Sequence, residues 1–113
     1  MAAVYVSNLV VNAGTDFSQT FTLEDTNSSS AYDLTSATVS AQMRKHSGSS
    51  TAIDFTTTIV VPKTSGQIIL QLTDSQTADI KPGRYVYDVI VTIGSTKTRV
   101  VEGMVLVREG VTR

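Results

Sequence analysis

Apolar and polar side chains alternate along most of the chain. Between Asp16 and Glu24, Phe17, Phe21 and Leu23 fall on one parity, and Ser18, Thr20, Thr22 and Glu24 on the other. Ala37, Val39, Ala41 and Met43 alternate with Thr38, Ser40, Gln42 and Arg44. Ile68, Leu70 and Leu72 alternate with Gln67, Gln71 and Thr73, and Ile69 breaks the rule. A period of two puts successive side chains on opposite faces of a strand, so each run predicts a strand with one dry face and one wet. Turn chemistry separates the runs, at Asn12-Ala13-Gly14, Asp25 to Ser30, His46 to Ser50, Pro62 to Gly66, Pro82-Gly83 and Gly94-Ser95. Strands are expected at about 3–11, 16–24, 36–45, 52–61, 67–73, 84–93 and 97–107. About seven short strands with regular turns predict an antiparallel sandwich of two sheets rather than βαβ units. The helical exception is a single turn near 74–80, with Thr73 or Asp74 as its N-cap. The short connection from Ile93 to Lys97 predicts a hairpin, and Gly103 inside the last strand predicts a bulge.

The totals sharpen this picture. With 113 residues the chain is expected to be one domain, residues 1–113. A chain of this size buries roughly 65% of its unfolded surface, enough for a core without covalent staples. Thr, Ser and Val dominate, which favours pleated sheet, because β-branched side chains lose rotamer freedom in helices. There is no cysteine, which removes disulfides, thiolate metal sites and cysteine nucleophiles and fits a reducing compartment. Nine basic and ten acidic residues are scattered along the chain at a net charge of −1, and no basic patch advertises nucleic acid. The opening "MAAVYVSNLVV" lacks the charged n-region and sustained apolar run of a signal peptide, so neither export nor a membrane anchor is expected.

One corner is more specific. "DIKPGRYVY" places a short helical turn and a glycine before Tyr85, with Tyr87 two residues on. Immunoglobulin-like sandwiches carry a tyrosine at this place, near the start of the penultimate strand, whose hydroxyl returns to the upstream backbone. The second cysteine of antibody domains would stand at Tyr87, and neither it nor a core tryptophan is present. The expected fold is therefore all-β and immunoglobulin-like, with Tyr85 pinning the crossover and Asp79, six residues upstream, as its acceptor.

Catalytic chemistry is hard to assemble. His46 is the single histidine, set in the loop "RKHSGSS". With no second histidine and no cysteine, a zinc site would need carboxylates gathered from afar. No Gly-x-Ser-x-Gly elbow, phosphate loop or dinucleotide fingerprint occurs. Glu24, Asp25, Asn27 and Asp33 offer hard oxygen ligands of the kind calcium takes, but their spacing is that of a polar loop and not of an EF-hand. Asp74 and Asp79 read as a cap and a corner acceptor. A glycosidase pair would want an aromatic-lined groove, and the Tyr and Phe residues occupy core parities, Tyr5 and Tyr32 less clearly. Asn27-Ser28-Ser29 is formally a glycosylation sequon. Lys97 with Arg99, and Arg44 with Lys45, read as solvated pairs. No catalytic, cofactor-binding or metal residue is assigned, and no cofactor, small-molecule substrate, membrane or nucleic-acid partner is expected.

The order of motifs has a counterpart. "AGTDFSQTFTLED", "YDLTSATVSAQMRK", "SGQIILQLTDSQTADIKPGRYVYDVIV" and "RVVEGMVLVREGVTR" follow one another from Gly14 to Arg113. Together they resemble the small β-sandwich modules of tailed-bacteriophage virion proteins, such as the N-terminal module of baseplate upper proteins and stand-alone tail or neck proteins. Baseplate upper proteins continue into a larger receptor-binding or fibre-holding region, which this sequence does not include. The resemblance implies a structural role in the virion, assembled in the host cytoplasm, with other virion proteins and copies of itself as partners and no enzymatic activity. Edge strands would make those contacts, with "TTTIVV" (Thr56 to Val61) an exposed one and "AVYVSNLVV" and "REGVTR" reaching neighbours. The alternative is a stand-alone immunoglobulin-like adhesion module that recognises a host sugar or protein through its loops.

Overall fold

The computed structural model describes residues 5–25, 30–46 and 48–111. The strands are β1 (Tyr5–Val6), β2 (Leu9–Asn12), β3 (Phe17–Thr22), β4 (Glu24–Asp25), β5 (Ser30–Ala31), β6 (Ala37–Arg44), β7 (Ile53–Asp54), β8 (Thr56–Ile59), β9 (Gln67–Leu72), β10 (Gly83–Ile93) and β11 (Thr96–Arg108). One helix, α1 (Asp74–Ala78), and a 3-10 turn at Lys63–Ser65 complete them. A six-stranded sheet runs β1-β11-β10-β6-β7, with β2 also on β11, and a three-stranded sheet runs β3-β9-β8. The pairings are antiparallel except at the start, where β1 and β2 lie parallel to β11. This departs from the purely antiparallel expectation. The division of strands between layers is that of an immunoglobulin sandwich, with β6, β10 and β11 in one sheet and β3, β9 and β8 in the other.

The dry parities of both sheets meet in one core. Met43, Val89, Val91, Val105 and Val107 come from the larger sheet, and Ile68, Leu70 and Leu72 from the smaller. Phe55 joins them, its ring centroid 6.0 Å from Phe17 and 6.2 Å from Tyr87. Its position explains why the strand expected at 52–61 is two. Residues before Phe55 pair with β6 in one sheet and residues after it with β9 in the other, so the chain changes layer while its aromatic ring fills the core. Ile69 faces outward between Thr20 and Thr58, half-buried, which accounts for its break in the alternation.

Two further expectations are corrected. The bulge lies at Val100 and not at Gly103, because Val89 pairs with Val101 and Ile90 with Arg99. The extra residue turns two consecutive valines, Val100 and Val101, into the core. Gly103 stays in register opposite Tyr87, and its lack of a side chain serves a close approach: a Cβ there would sit 2.2 Å from the Ser7 carbonyl oxygen. The strand expected at 3–11 crosses Gly103 at this point and is interrupted. Ser7 N–H still donates to the Glu102 carbonyl at 2.9 Å, while Asn8 Oδ1 replaces a backbone acceptor for Met104 N–H at 3.1 Å. The same register resumes beyond it, from Leu9 opposite Val105. Residues 5–12 are thus an integral border of this chain's own sheet.

Candidate interaction surface

The corner that stands out in the sequence is a hydrogen-bonded knot. Thr73 caps α1, accepting from Gln76 N–H, while the Gln76 side chain accepts from Thr73 N–H at 2.8 Å, a reciprocal capping box. Asp74 is inside the helix and Asp79 is its C-cap. The Tyr85 hydroxyl donates to the Lys81 carbonyl at 2.7 Å, so the acceptor is backbone four residues upstream, and Asp79 is not the partner. Lys45 Nζ lies 5.0 Å above the Tyr85 ring. Thr77, which sequence reasoning passed over, is fully buried. Its hydroxyl donates to the Thr15 carbonyl at 2.7 Å and accepts from Gly14 N–H at 3.0 Å, and Asp16 Oδ1 accepts from Asp74 N–H at 2.8 Å. These bonds fasten α1 to the turn between β2 and β3.

The candidate chemical residues do not converge. His46 is exposed. Asp33 accepts from the backbone N–H and the hydroxyl of Thr35, which hold its carboxyl below the usual range and close a local turn. Glu24 is exposed; Asn27 and the side chain of Asp25 lie outside the described residues. Among the described residues no three of His, Cys, Asp and Glu are grouped to hold a metal ion. No described helix is long and apolar enough to cross a membrane. Arg99 Nε lies 3.2 Å from Asp88 Oδ2, and its guanidinium 3.9 Å from Glu102. Arg44 donates to the Ser49 carbonyl at 2.6 Å and to Gln42. Both basic pairs therefore carry an arginine tied to its own surroundings.

What distinguishes the molecule is the contrast between its two outer faces. On the smaller sheet the outward residues are Ser18, Thr20, Thr22, Thr56, Thr58 and Gln71, uncharged and hydroxyl-rich, around Ile69. On the larger sheet apolar side chains stand in water. Val86, Leu106, Met104, Val10 and Val6 range from 36% to 76% exposed. The register makes them neighbours, since Val86 pairs with Met104, and Leu106 pairs with Val10. Isolated exposed apolar residues are ordinary, but a contiguous cluster rimmed by charge marks an interaction surface. A shallow depression of about 530 Å³ lies over this face, bordered by Val6, Val86, Met104, Arg44, Asp88 and Glu102. At the edge of the other sheet, β8 pairs with β9 on one side and carries neither Lys nor Pro.

No family model and no curated protein sequence matches the chain. The crystal structure of InlP from Listeria monocytogenes matches with a TM-score of 0.53 at 19% identity, over 93% of this chain and 27% of that one. The fold is an immunoglobulin-like sandwich. The InlP likeness is one of fold alone, and the chain spans about a quarter of that structure's length. A Dscam structure (TM-score 0.43, 11% identity, 97% of this chain and 26% of that one) and murine CRIg (0.46, 12%, 92% of each) are more distant.

Proposed function

We propose that the chain is a structural component of a tailed-bacteriophage particle, in its tail, baseplate or neck, and that it works through protein–protein contacts. The observation that carries the assembly role is the exposed apolar cluster of Val86, Met104, Leu106 and Val10 on a rigid sheet, where a soluble monomer gains nothing from leaving it uncovered. The order of motifs from Gly14 to Arg113 supports the particle, and the unblunted edge at β8 offers a second contact by strand pairing. Its partners are other virion proteins and copies of itself.

The adhesion reading makes a different demand. A sugar site wants exposed aromatic rings, whereas Phe21, Phe55, Tyr85 and Tyr87 are buried and Phe17 and Tyr32 half-buried against the core. That distribution favours assembly over sugar capture. Mass spectrometry of purified particles from a phage encoding this chain tests the proposal. Stoichiometric recovery of its peptides is expected. Particles lacking them, together with saturable binding of the isolated protein to host cells, would replace the proposal with the adhesion module.

A further inference from the structure

The chain carries three methionines, at positions 1, 43 and 104. Met1 lies outside the described residues, and the other two occupy opposite environments. Met43 is on the core parity of β6 and fully buried, whereas Met104, on the outward parity of β11, is 47% exposed. A thioether is the oxidisable group of an otherwise aliphatic surface, and its reaction with a peroxide is governed by access to the sulfur. We propose that Met104 is an oxidant-sensitive modification site, and that its sulfoxide removes the apolar character of the larger sheet's outer face without unfolding the sandwich.

The register puts Met104 in the middle of the exposed cluster. Val86 stands opposite it on β10, Leu106 is the next residue on the same face of β11, and Val10 pairs with Leu106 on the far side. Met104 also borders the open depression over this face. With hydrogen peroxide as the oxidant, the sulfur lone pair attacks one peroxide oxygen. The S–O bond forms as the O–O bond breaks, and two electrons pass from sulfur to the peroxide. The leaving hydroxide takes the proton of the transferred oxygen and departs as water. A polar, hydrogen-bond-accepting group then stands where an apolar one stood. The sandwich tolerates that change, because the Met104 side chain lies outside the core cluster and its backbone N–H stays bound to Asn8 Oδ1 at 3.1 Å. Met43 differs on both counts. Its sulfur is reached only when the two sheets open, and an oxygen there would be carried into the core. Oxidation thus alters a surface at Met104 and destroys packing at Met43. This holds for the isolated chain, whatever covers the face in an assembly.

A time course in dilute hydrogen peroxide, read by peptide mass spectrometry, tests the site. The tryptic peptide from Val100 to Arg108 carries Met104 as its single methionine, and fragmentation separates Met1 from Met43 in the peptide that ends at Arg44. Met104 is expected to gain one oxygen at least about tenfold faster than Met43, which must wait for an opening of the fold. Hydrophobic-interaction chromatography and a melting curve on the same samples test the consequence. Retention should fall as Met104 is oxidised while the melting transition holds, and methionine sulfoxide reductases of both stereospecificities should restore it. Met104→Leu should keep its retention through the same exposure, and Met104→Gln should elute early without any oxidant. Equal rates at Met43 and Met104 would overturn the site. Retention unchanged by oxidation at Met104, or a melting transition lost with it, would overturn the surface consequence.

Discussion

Replacing Gly103 by alanine tests how the first strand is joined to the sandwich. Gly103 has ordinary strand geometry, and by backbone propensity alone alanine would stabilise the strand by roughly 0.5–1 kcal/mol. The surroundings argue the opposite. The added methyl would lie 2.2 Å from the Ser7 carbonyl oxygen, 2.8 Å from its carbon and 3.2 Å from Asn8 Oδ1. Two of those atoms are backbone, so the β1–β2 segment must move away. Three hydrogen bonds meet at this crossing: Ser7 N–H to Glu102 at 2.9 Å, Met104 N–H to Asn8 Oδ1 at 3.1 Å, and the Tyr87 hydroxyl to the Ser7 carbonyl at 2.6 Å. At about 1 kcal/mol each, their loss costs about 3 kcal/mol, leaving a net destabilisation of about 2–2.5 kcal/mol after the propensity gain. For a domain of this size that lowers the melting temperature by roughly 10–20 °C. Calorimetry on Gly103→Ala measures the shift, with Gly48→Ala, whose Cβ meets nothing closer than 3.6 Å, as the neutral control. Tyr87→Phe removes one of the same bonds, so the double variant should be less destabilised than the sum of the singles. A Gly103→Ala protein that melts at or above the wild type would refute the close-approach account.

Other consequences can be checked on the same instrument. Tyr85→Phe removes the bond to the Lys81 carbonyl and should lower stability by about 1 kcal/mol, and an unchanged melting temperature would show that the corner does not pin the crossover. Thr77→Val leaves the Thr15 carbonyl and Gly14 N–H without their buried partner and should cost about 1–2 kcal/mol, whereas Thr77→Ser keeps both bonds; equal losses in the two would indicate that the methyl group matters and the hydroxyl does not. Burial pushes the Tyr87 phenol up to about 12, from about 10 in an unfolded chain. A raised native pKa means that the folded state holds its proton longer. The contribution is therefore complete below pH of about 10 and is lost as pH climbs through about 12. Melting profiles of Tyr87→Phe should lack that part of the alkaline decline, and parallel profiles would count against the assignment.

The parts of the fold that were legible and the parts that were not divide along one physical line. Alternation reports which face of a strand is dry, so β3, β6 and β9 could be read from Phe17, Ala37 and Ile68 onward. It is a local signal and cannot report which sheet a strand joins. The change of layer at Phe55 therefore remained hidden inside an apparently continuous run. The acceptor for Tyr85 is illegible in the sequence for a related reason: a backbone carbonyl at Lys81 has no letter of its own, whereas the Asp79 carboxylate does. The bulge did leave a trace, in the adjacent pair Val100-Val101, which no regular strand could turn to the same side.

The outward parities of the two sheets also mark the interaction surface. Where a sheet's outer face meets only water, its outward parity stays polar, as the threonines of β3 and β8 do. In one stretch of β10 and of β11 both parities are apolar: Val86 stands between Tyr85 and Tyr87, and Met104 and Leu106 flank Val105, while Arg84, Asp88 and Glu102 share the same outward face. Short runs that are apolar on both parities are the pattern of strand segments covered on both faces. The core covers one face here, and within this chain nothing among the described residues covers the other, since Val86, Met104 and Leu106 remain substantially exposed. The composition of β10 and β11 is therefore that of a sheet with a further layer to receive. This explains why the exposed valines and methionine lie on one sheet and the hydroxyls on the other.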